Sequence, residues 1–359
     1  MANIKKIKVV VIVGPTASGK SDLAIKIAKK ISAKSTVPAS GWNGAEIISA
    51  DSRQVYRRLD IGTGKVKKDS IKYRVLSIKG KKRNSEYYSD GIRHHLIDVV
   101  SPKKQFTADD FKKLGEKAIK EILAKNKVPI IVGGTGFYID VLLGRMSVAE
   151  VPPNKRLRER FDKLTVEHLF KMLKKLDPER IKTIDTKNKR RLIRALEIVM
   201  TTGKPIPRPV LSIKYKVLWL GLNPKNLKER VRIRLEERLK PSSAKATAGK
   251  QGMIEEVMNL RKQGVSWKRL DEFGLEYRQI SRYLKNHTRS DLKKGSRGLT
   301  SKFKNSEYYE KLLKEIIKYS KRQMTWFKRN KDIYWIKNSA EAKKITWKFL
   351  SFPPKKSNH

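Results

Sequence analysis

The sequence predicts an α/β fold, a parallel sheet with helices on both faces plus a small inserted helical domain. Three observations predict it. Between residues 8 and 134, short apolar runs alternate with helical stretches, the pattern of strand–helix–strand units. Those runs are apolar at almost every position, as strands covered on both faces must be. From about residue 146 to 188 the strands give way to short basic helices, which marks an insertion.

Each element carries its own signal. "VVVIV" predicts a first strand over 8–13. "SDLAIKIAKKI" behind it is a helix, because Leu23, Ile27 and Ile31 recur at spacings of four with Ala24 and Ala28 beside them. Residues 32–44, rich in small and turn residues, read as a flexible insertion. "AEIISAD" (45–51) is a second strand ending at Asp51, and "HHLIDVV" (94–100) is a third. Thr107, followed three residues later by Asp110, caps a helix whose apolar face is Phe111, Leu114, Ala118 and Ile122. "VPIIVGG" is a fourth strand that runs into a glycine turn. "RRLIRALEIVMTTGKP" is a helix stopped by Gly203 and Pro205. The stretches 239–252 and 286–305 read as low-complexity loops, and "SEYYEKLLKEIIKYSKRQMTWFKR" as a long closing helix. The expected organisation is the first part of a core over 1–145, the insertion over 146–188, core completion and C-terminal helices over 189–340, and a basic tail over 341–359.

Composition narrows the class. A chain of 359 residues accommodates two domains. The absence of cysteine excludes disulfides, thiolate zinc sites and cysteine nucleophiles. The longest apolar runs are too short to cross a bilayer. The start "MANIKKIKVVVIVG" imitates a secretory signal, but its apolar stretch is too short and lacks a cleavage pattern, so a cytoplasmic protein is expected. Lysine and arginine number 85 against 35 acids, a net charge of +50. Such a surplus favours a polyanionic partner, although a lysine-rich proteome produces it too.

Parallel sheets bind ligands beyond the carboxyl ends of their strands. Three of the four expected strands end there in polar or glycine-rich loops, "GPTASGKS", "DSRQVY" and "GGTGFY", which should converge on one site. The first contains Gly14-x4-Gly19-Lys20-Ser21, the full P-loop pattern with a strand before it and a helix after. Its glycines let backbone N–H groups point inward, and the helix start adds its positive end. Lys20 would meet an outer phosphate and Ser21 would hold Mg²⁺. An ATPase or kinase of this class shows a second apolar strand ending in a metal-steadying aspartate. Here "VPIIV" runs into "GGTG" instead, while Asp51 at a strand end and Asp98 inside one both stay open as metal partners. Asp51 reads either as a turn or helix cap or as a general base at the mouth of the site.

Six blocks occur in order: "GPTASGKS", "ADSRQVYRRLDIGTGK", "HHLIDVVSP", "GGTGFY", "RRLIRALEI" with "TGK", and "KRQMTWFKR". Together, from about residue 8 to 336, they resemble the tRNA dimethylallyltransferase family, also called tRNA isopentenyltransferases. The resemblance implies a P-loop NTPase-like sheet and transfer of a dimethylallyl group from its diphosphate to N6 of adenosine 37, beside the anticodon. The diphosphate would sit on Gly14, Pro15, Thr16, Ala17 and Ser18, and on Gly19, Lys20 and Ser21, with Mg²⁺ at Ser21. Asp51 would take the amine proton, with Lys20 and Thr135 completing the catalytic set. The adenine would be flipped out of its stack. Asp51, Ser52, Arg53, Gln54 and Thr135 would contact the tRNA, as would Arg158, Arg190, Arg191 and Arg194. Arg191 and Arg194 lie three residues apart, so they read as a joint grip on phosphate backbone or as a solvated face.

The implied partners are the tRNA anticodon stem-loop and dimethylallyl diphosphate, with no membrane and a monomeric state. Lys321, Arg322, Lys328 and Arg329 are weaker RNA-contact candidates. Trp326, Phe327 and Trp335 are expected to pack the closing helix onto the sheet, and His94 and His95 to be structural. The chain also departs from the family. "DTKN" stands where "HPND" is usual, which puts Asp185 at the histidine and Asn188 at the aspartate; "GLEYRQ" (274–279) stands where "GYKE" is usual. Three other readings share these residues: a conventional P-loop kinase or ATPase, an enzyme prenylating free AMP or ATP, and a non-catalytic RNA-binding protein.

Overall fold

The structure, a computed structural model, describes residues 7–33, 41–69, 86–207, 214–240, 252–286 and 295–351. Most of the expected insertion at 32–44, and nearly all of 239–252, fall outside the described residues.

Among the described residues, seven strands form one sheet: β1 (Ile7–Val13), β2 (Ala45–Ser49), β3 (Tyr87–Ser89), β4 (Ile92–His95), β5 (Val128–Gly133), β6 (Tyr215–Gly221) and β7 (Ile333–Trp335). Their spatial order is β3-β4-β2-β5-β1-β6-β7, parallel throughout except for the β3–β4 hairpin. Val9 to Val13 are fully buried, so β1 is covered on both faces as its unbroken apolar run requires. The chain leaves β1 to one side for β2 and builds β6 on the other. The loop after β1 therefore opens at the point where strand order reverses, where such sheets have a crevice.

The Lys20–Ser32 helix buries Leu23, Ala24, Ile27, Ala28 and Ile31, the face its spacing predicts. The cap at Thr107 is a full capping box. Thr107 Oγ1 accepts the Asp110 N–H at 3.1 Å and Asp110 Oδ2 accepts the Thr107 N–H at 2.8 Å. The buried face of that helix is Phe111, Gly115, Ala118, Ile119 and Ile122, while Leu114 is left exposed. His94 and His95 are buried in β4, as expected of structural residues. His95 Nε2 lies 2.7 Å from Glu46 Oε2. Burial opposes ionisation of Glu46, but bonds from His95, Lys127 and Lys125 hold its carboxyl below the usual range.

Three expectations need correction. The third strand stops at His95, because Leu96 and Asp98 adopt positive φ (62° and 59°), which breaks extended pairing. Among the described residues the sheet has seven strands, where the sequence pointed to four. The three missed are "YYS" and "IYW", too short to show alternation, and "YKVLWLG", at the far end of the insertion. The supposed loop at 286–305 contains a helix, Gly295–Lys304, with Leu299 and Phe303 buried.

The chain divides into a larger unit, Met1–Leu142 with Lys214–His359, and a smaller one, Leu143–Ile213. The smaller unit takes in the Lys189–Thr202 helix, expected with the core, because Leu192, Leu196 and Val199 pack against Phe161, Leu169 and Leu173. That helix ends as predicted, at Gly203 in the left-handed region (φ 67°). In the larger unit a second apolar core joins Val55, Tyr56 and Leu59, just after β2, to Phe273, Tyr277 and Tyr283 of the later helices. Among the described residues, no helix is long and apolar enough to cross a membrane.

Candidate active site

The neighbouring strands β2, β5 and β1 bring their carboxyl-end loops to one edge of the sheet. After β1, residues 14–21 turn into the Lys20–Ser32 helix. Gly19 closes the turn at φ 86°, a conformation strained for any side chain. The first N–H groups of that helix, at Lys20 and Ser21, have no intrahelical acceptor. Ser18 Oγ is buried and has no hydrogen-bond partner among the described residues. An orphaned hydroxyl in a turn rich in N–H donors suits an oxyanion. Lys20 Nζ folds back to donate to Pro15 O at 3.1 Å. Burial pushes its ammonium down to about 8; the Asp51 carboxylate opposes that shift and the Arg238 guanidinium adds to it.

Two residues that sequence reasoning missed hold this loop. Gln323 Oε1 accepts the Thr16 N–H at 2.9 Å, and Gln323 Nε2 donates to Gly134 O at 2.9 Å. The closing helix thus staples the loop after β1 to the loop after β5. Arg230 donates Nε to Ala17 O at 2.9 Å, and its Nη2 lies 3.8 Å from where a Cβ on Gly19 would stand. The "KRQMTWFKR" block contained a hint of Gln323. Nothing distinguished Arg230 among the arginines of "KERVRIRLEERL".

Asp51 follows β2 directly. Its Oδ1 accepts the N–H of Arg53 at 2.8 Å and of Gln54 at 3.3 Å, so it does cap its turn. Both bonds fall on one oxygen, which keeps the base and cap readings compatible. Thr135 joins the two loops: its N–H donates to Ala50 O at 3.2 Å and its Oγ1 accepts the Ser52 N–H at 3.2 Å. The Tyr319 phenol is pushed up to about 12, chiefly by burial and then by the Asp51 carboxylate. The predicted residues Lys20, Asp51, Ser52 and Thr135 therefore share one neighbourhood.

Other predicted residues are placed differently. The Gln54 amide points into the protein, where Oε1 accepts Ser49 Oγ at 2.8 Å and Nε2 donates to Thr63 O and Gly64 O, each at 3.3 Å. The Arg53 guanidinium lies 5.9 Å from the centre of the Phe273 ring. Asp98 is paired with Lys65, which also bonds Asp60 at 2.7 Å, so a cation already engages it. Among the described residues, no cluster of three His, Cys, Asp or Glu could hold a metal. Ser21 offers a hydroxyl at the start of its helix, one oxygen of the kind that magnesium takes when it is shared with substrate phosphates.

In the smaller unit, Arg158 and Arg194 converge on Glu197, which is 0% exposed. Arg158 donates Nε to Oε1 at 2.9 Å and Nη2 to Oε2 at 2.8 Å; Arg194 donates Nη1 to Oε2 at 2.6 Å and Nη2 to Val151 O at 2.8 Å. Arg190 and Arg191 are exposed, with Arg191 3.6 Å from Asp185. Arg191 and Arg194 thus differ in role, one at the surface and one turned onto a buried carboxylate. The Asn188 side chain caps the Lys189–Thr202 helix through the Arg191 N–H, so asparagine in place of the usual aspartate keeps the cap.

Lys321, Arg322, Lys328 and Arg329 are all exposed. Trp326 and Phe327 turn inward, but Trp326 meets a helix rather than the sheet: its Nε1 donates to Asp140 Oδ2 at 2.9 Å, on the Gly136–Leu142 helix, while Phe327 is buried. Trp335 instead lies on the edge strand β7 and is 37% exposed.

Comparison with known proteins places the chain among its relatives. The description of the IPP transferase family matches residues 54–330. The tRNA dimethylallyltransferase of Thermoanaerobacter sp. (strain X514) is 35% identical over 363 residues, covering 96% of this chain and 98% of that protein. The tRNA dimethylallyltransferase 1 of Syntrophus aciditrophicus (strain SB) is 35% identical over 339 residues, covering 91% and 92%. Among solved structures, a tRNA delta(2)-isopentenylpyrophosphate transferase from Staphylococcus epidermidis superposes with a TM-score of 0.55 at 29% identity, covering 97% of this chain and 100% of that one. A eukaryotic dimethylallyltransferase acting on tRNA shares the fold, with a TM-score of 0.68 at 23% identity over 98% of this chain and 82% of that one. This chain belongs to the IPP transferase family.

Proposed function

We propose that the protein transfers a dimethylallyl group from dimethylallyl diphosphate to N6 of adenosine 37 of tRNA, releasing diphosphate. The observation that carries this reading is the meeting of a phosphate-type loop (14–21) with the Asp51 turn at one sheet edge, held together by Thr135 and Gln323. The loop acts as a P-loop whose phosphates belong to a leaving group rather than to a phosphoryl donor.

The chemistry follows from the residues. The N6 lone pair forms a bond to the allylic carbon while the carbon–oxygen bond to diphosphate breaks. Negative charge gathers on the departing diphosphate, where Lys20, the loop N–H groups and Arg230 oppose it in place before reaction. Ser21 would hold Mg²⁺, which neutralises further diphosphate charge when bound. An exocyclic adenine amine is a poor nucleophile, so Asp51 accepts its proton as the bond forms. The Oδ1 bonds to its own turn fix that carboxylate. Exposed cations, Arg190 and Arg191 among them, supply attraction for RNA phosphates. A cytoplasmic monomer, as the sequence suggests, belongs to this reading.

Purified protein incubated with labelled dimethylallyl diphosphate, Mg²⁺ and bulk tRNA tests it. Label on tRNA adenosine is the expected result. Label on free AMP instead would move the acceptor to the nucleotide, and ATP hydrolysis with no label transfer would return the loop to conventional P-loop chemistry.

A further inference from the structure

One buried carboxylate of the larger unit has no place in the chemistry above. Glu256, on the Met253–Lys262 helix, is 5% exposed. Its Oε2 accepts the backbone N–H of Asp60 at 2.9 Å and of Ile61 at 2.7 Å. Its Oε1 accepts the Gly62 N–H at 3.2 Å and the Tyr277 hydroxyl at 2.7 Å. Gly62 lies so close to the Tyr277 ring that a Cβ there would come within 2.7 Å of it. Arg238, paired with Glu276 at 3.1 Å, donates to Gly62 O at 3.2 Å. Three later helices thus hold the turn after Leu59 by its backbone.

The turn in turn holds the site. Its carbonyls at Thr63 and Gly64 accept from the Gln54 Nε2, while the Gln54 Oε1 is held by Ser49. The Gln54 N–H, with that of Arg53, holds Asp51 Oδ1. The loop at 14–21 is secured by different residues, Gln323 and Arg230.

We propose that Glu256, with Tyr277, is a positioning residue for the reaction: by clasping the backbone of Asp60, Ile61 and Gly62 it fixes the turn on which Gln54 rests, and so the aim of the Asp51 carboxylate. This rests on the role proposed for Asp51. Its effect falls on the acceptor half of the reaction and spares diphosphate binding.

Steady-state transfer kinetics of the full chain test it, with thermal melting as the check on folding. In Glu256→Gln one oxygen becomes an NH₂ that faces a backbone or phenolic donor, so part of the clasp is lost. Tyr277→Phe removes one donor and leaves the ring on Gly62. kcat should fall about tenfold in Glu256→Gln and about twofold in Tyr277→Phe, with KM for dimethylallyl diphosphate within about twofold of wild type. Gln54→Leu should lower kcat similarly, and adding Glu256→Gln to it should change little, because both cut one link.

Unchanged kcat in Glu256→Gln overturns the proposal. So do effects that multiply in the double variant, or a rise in diphosphate KM as large as the fall in kcat. If Glu256→Gln does not fold, Tyr277→Phe paired with Gln54→Leu is judged by the same outcomes. Wild-type protein that transfers no label overturns the proposed function and this proposal together; active wild type with unaffected or independent variants overturns this one alone.

Discussion

Arginine serves different ends in the two units. In the smaller unit, Arg158 and Arg194 close around Glu197 and satisfy a carboxylate that has no access to water. In the larger unit, Arg230 uses Nε on a loop carbonyl and stays exposed beside the phosphate-type turn. All three belong to arginine-rich helices, so the residue type alone could not separate them. What separates them is the acceptor each already has. A guanidinium turned onto a buried carboxylate stabilises its own unit, and one at the rim of a loop of N–H donors adds charge for a ligand.

The largest effect expected at the larger unit's site is at Asp51. Asp51→Asn keeps an oxygen to cap the turn but cannot take a proton. Turnover should drop by ~10²–10⁴ while the melting temperature barely moves. Single-turnover transfer and thermal melting measured together decide it; a loss under about tenfold would mean that Asp51 is a cap and no more.

The smaller unit should respond in the opposite sense, through stability. Arg158→Ala or Arg194→Ala leaves the Glu197 carboxylate short of its partners. Breaking a fully buried pair costs about 3–5 kcal/mol, and the partial exposure of both arginines reduces that to roughly 2–3 kcal/mol. Chemical denaturation reads it directly. Full stability in both variants with weakened RNA binding would erase the contrast between the units.

Lys20 gives the comparison a pH dependence. Burial lowers its ammonium to about 8, and the charged form is the one the proposed reaction uses against the diphosphate. Raising pH through that value removes the cation, so kcat/KM for dimethylallyl diphosphate should fall about tenfold per pH unit above it, and hold level below. Bound diphosphate favours the charged lysine, so kcat alone should fall later. A kcat/KM profile level to about pH 10 would place the essential charge elsewhere, with Arg230 the first candidate.

These contrasts mark how far the sequence could be read. The loop at 14–21, the Asp51 turn and Thr135 were legible because each is a contiguous motif at the end of a strand. Gln323 and Glu256 were not, because their roles exist only through contacts with residues far away in the chain; Glu256 meets Asp60 across 196 positions. β3 and β7, three residues each, are too short for periodicity to show. The Gly295–Lys304 helix was hidden because its buried Leu299 and Phe303 sit among glycine, serine and lysine that imitate a loop. Glu197 was in view inside "RALEI", yet only the fold shows that two predicted RNA contacts turn toward it.

The smallest effect separates the arginines most finely. Each phosphate neutralised on RNA binding adds about 0.7–0.9 to the slope of log affinity against log salt. Arg190 and Arg191 are exposed on one end of their helix, so Arg190→Ala and Arg191→Ala should each lower the slope for tRNA by up to about that amount. Asp185 lies 3.6 Å from Arg191 and competes for it, which makes Arg190 the larger of the two. Arg158→Ala, measured on folded protein at low temperature, should leave the slope as it was, because its guanidinium is bidentate on Glu197. If the slope falls by the same amount at Arg158 as at Arg190, the guanidinium leaves Glu197 when RNA arrives. The buried pair would then be a resting state of the RNA-binding surface rather than a fixed part of the unit.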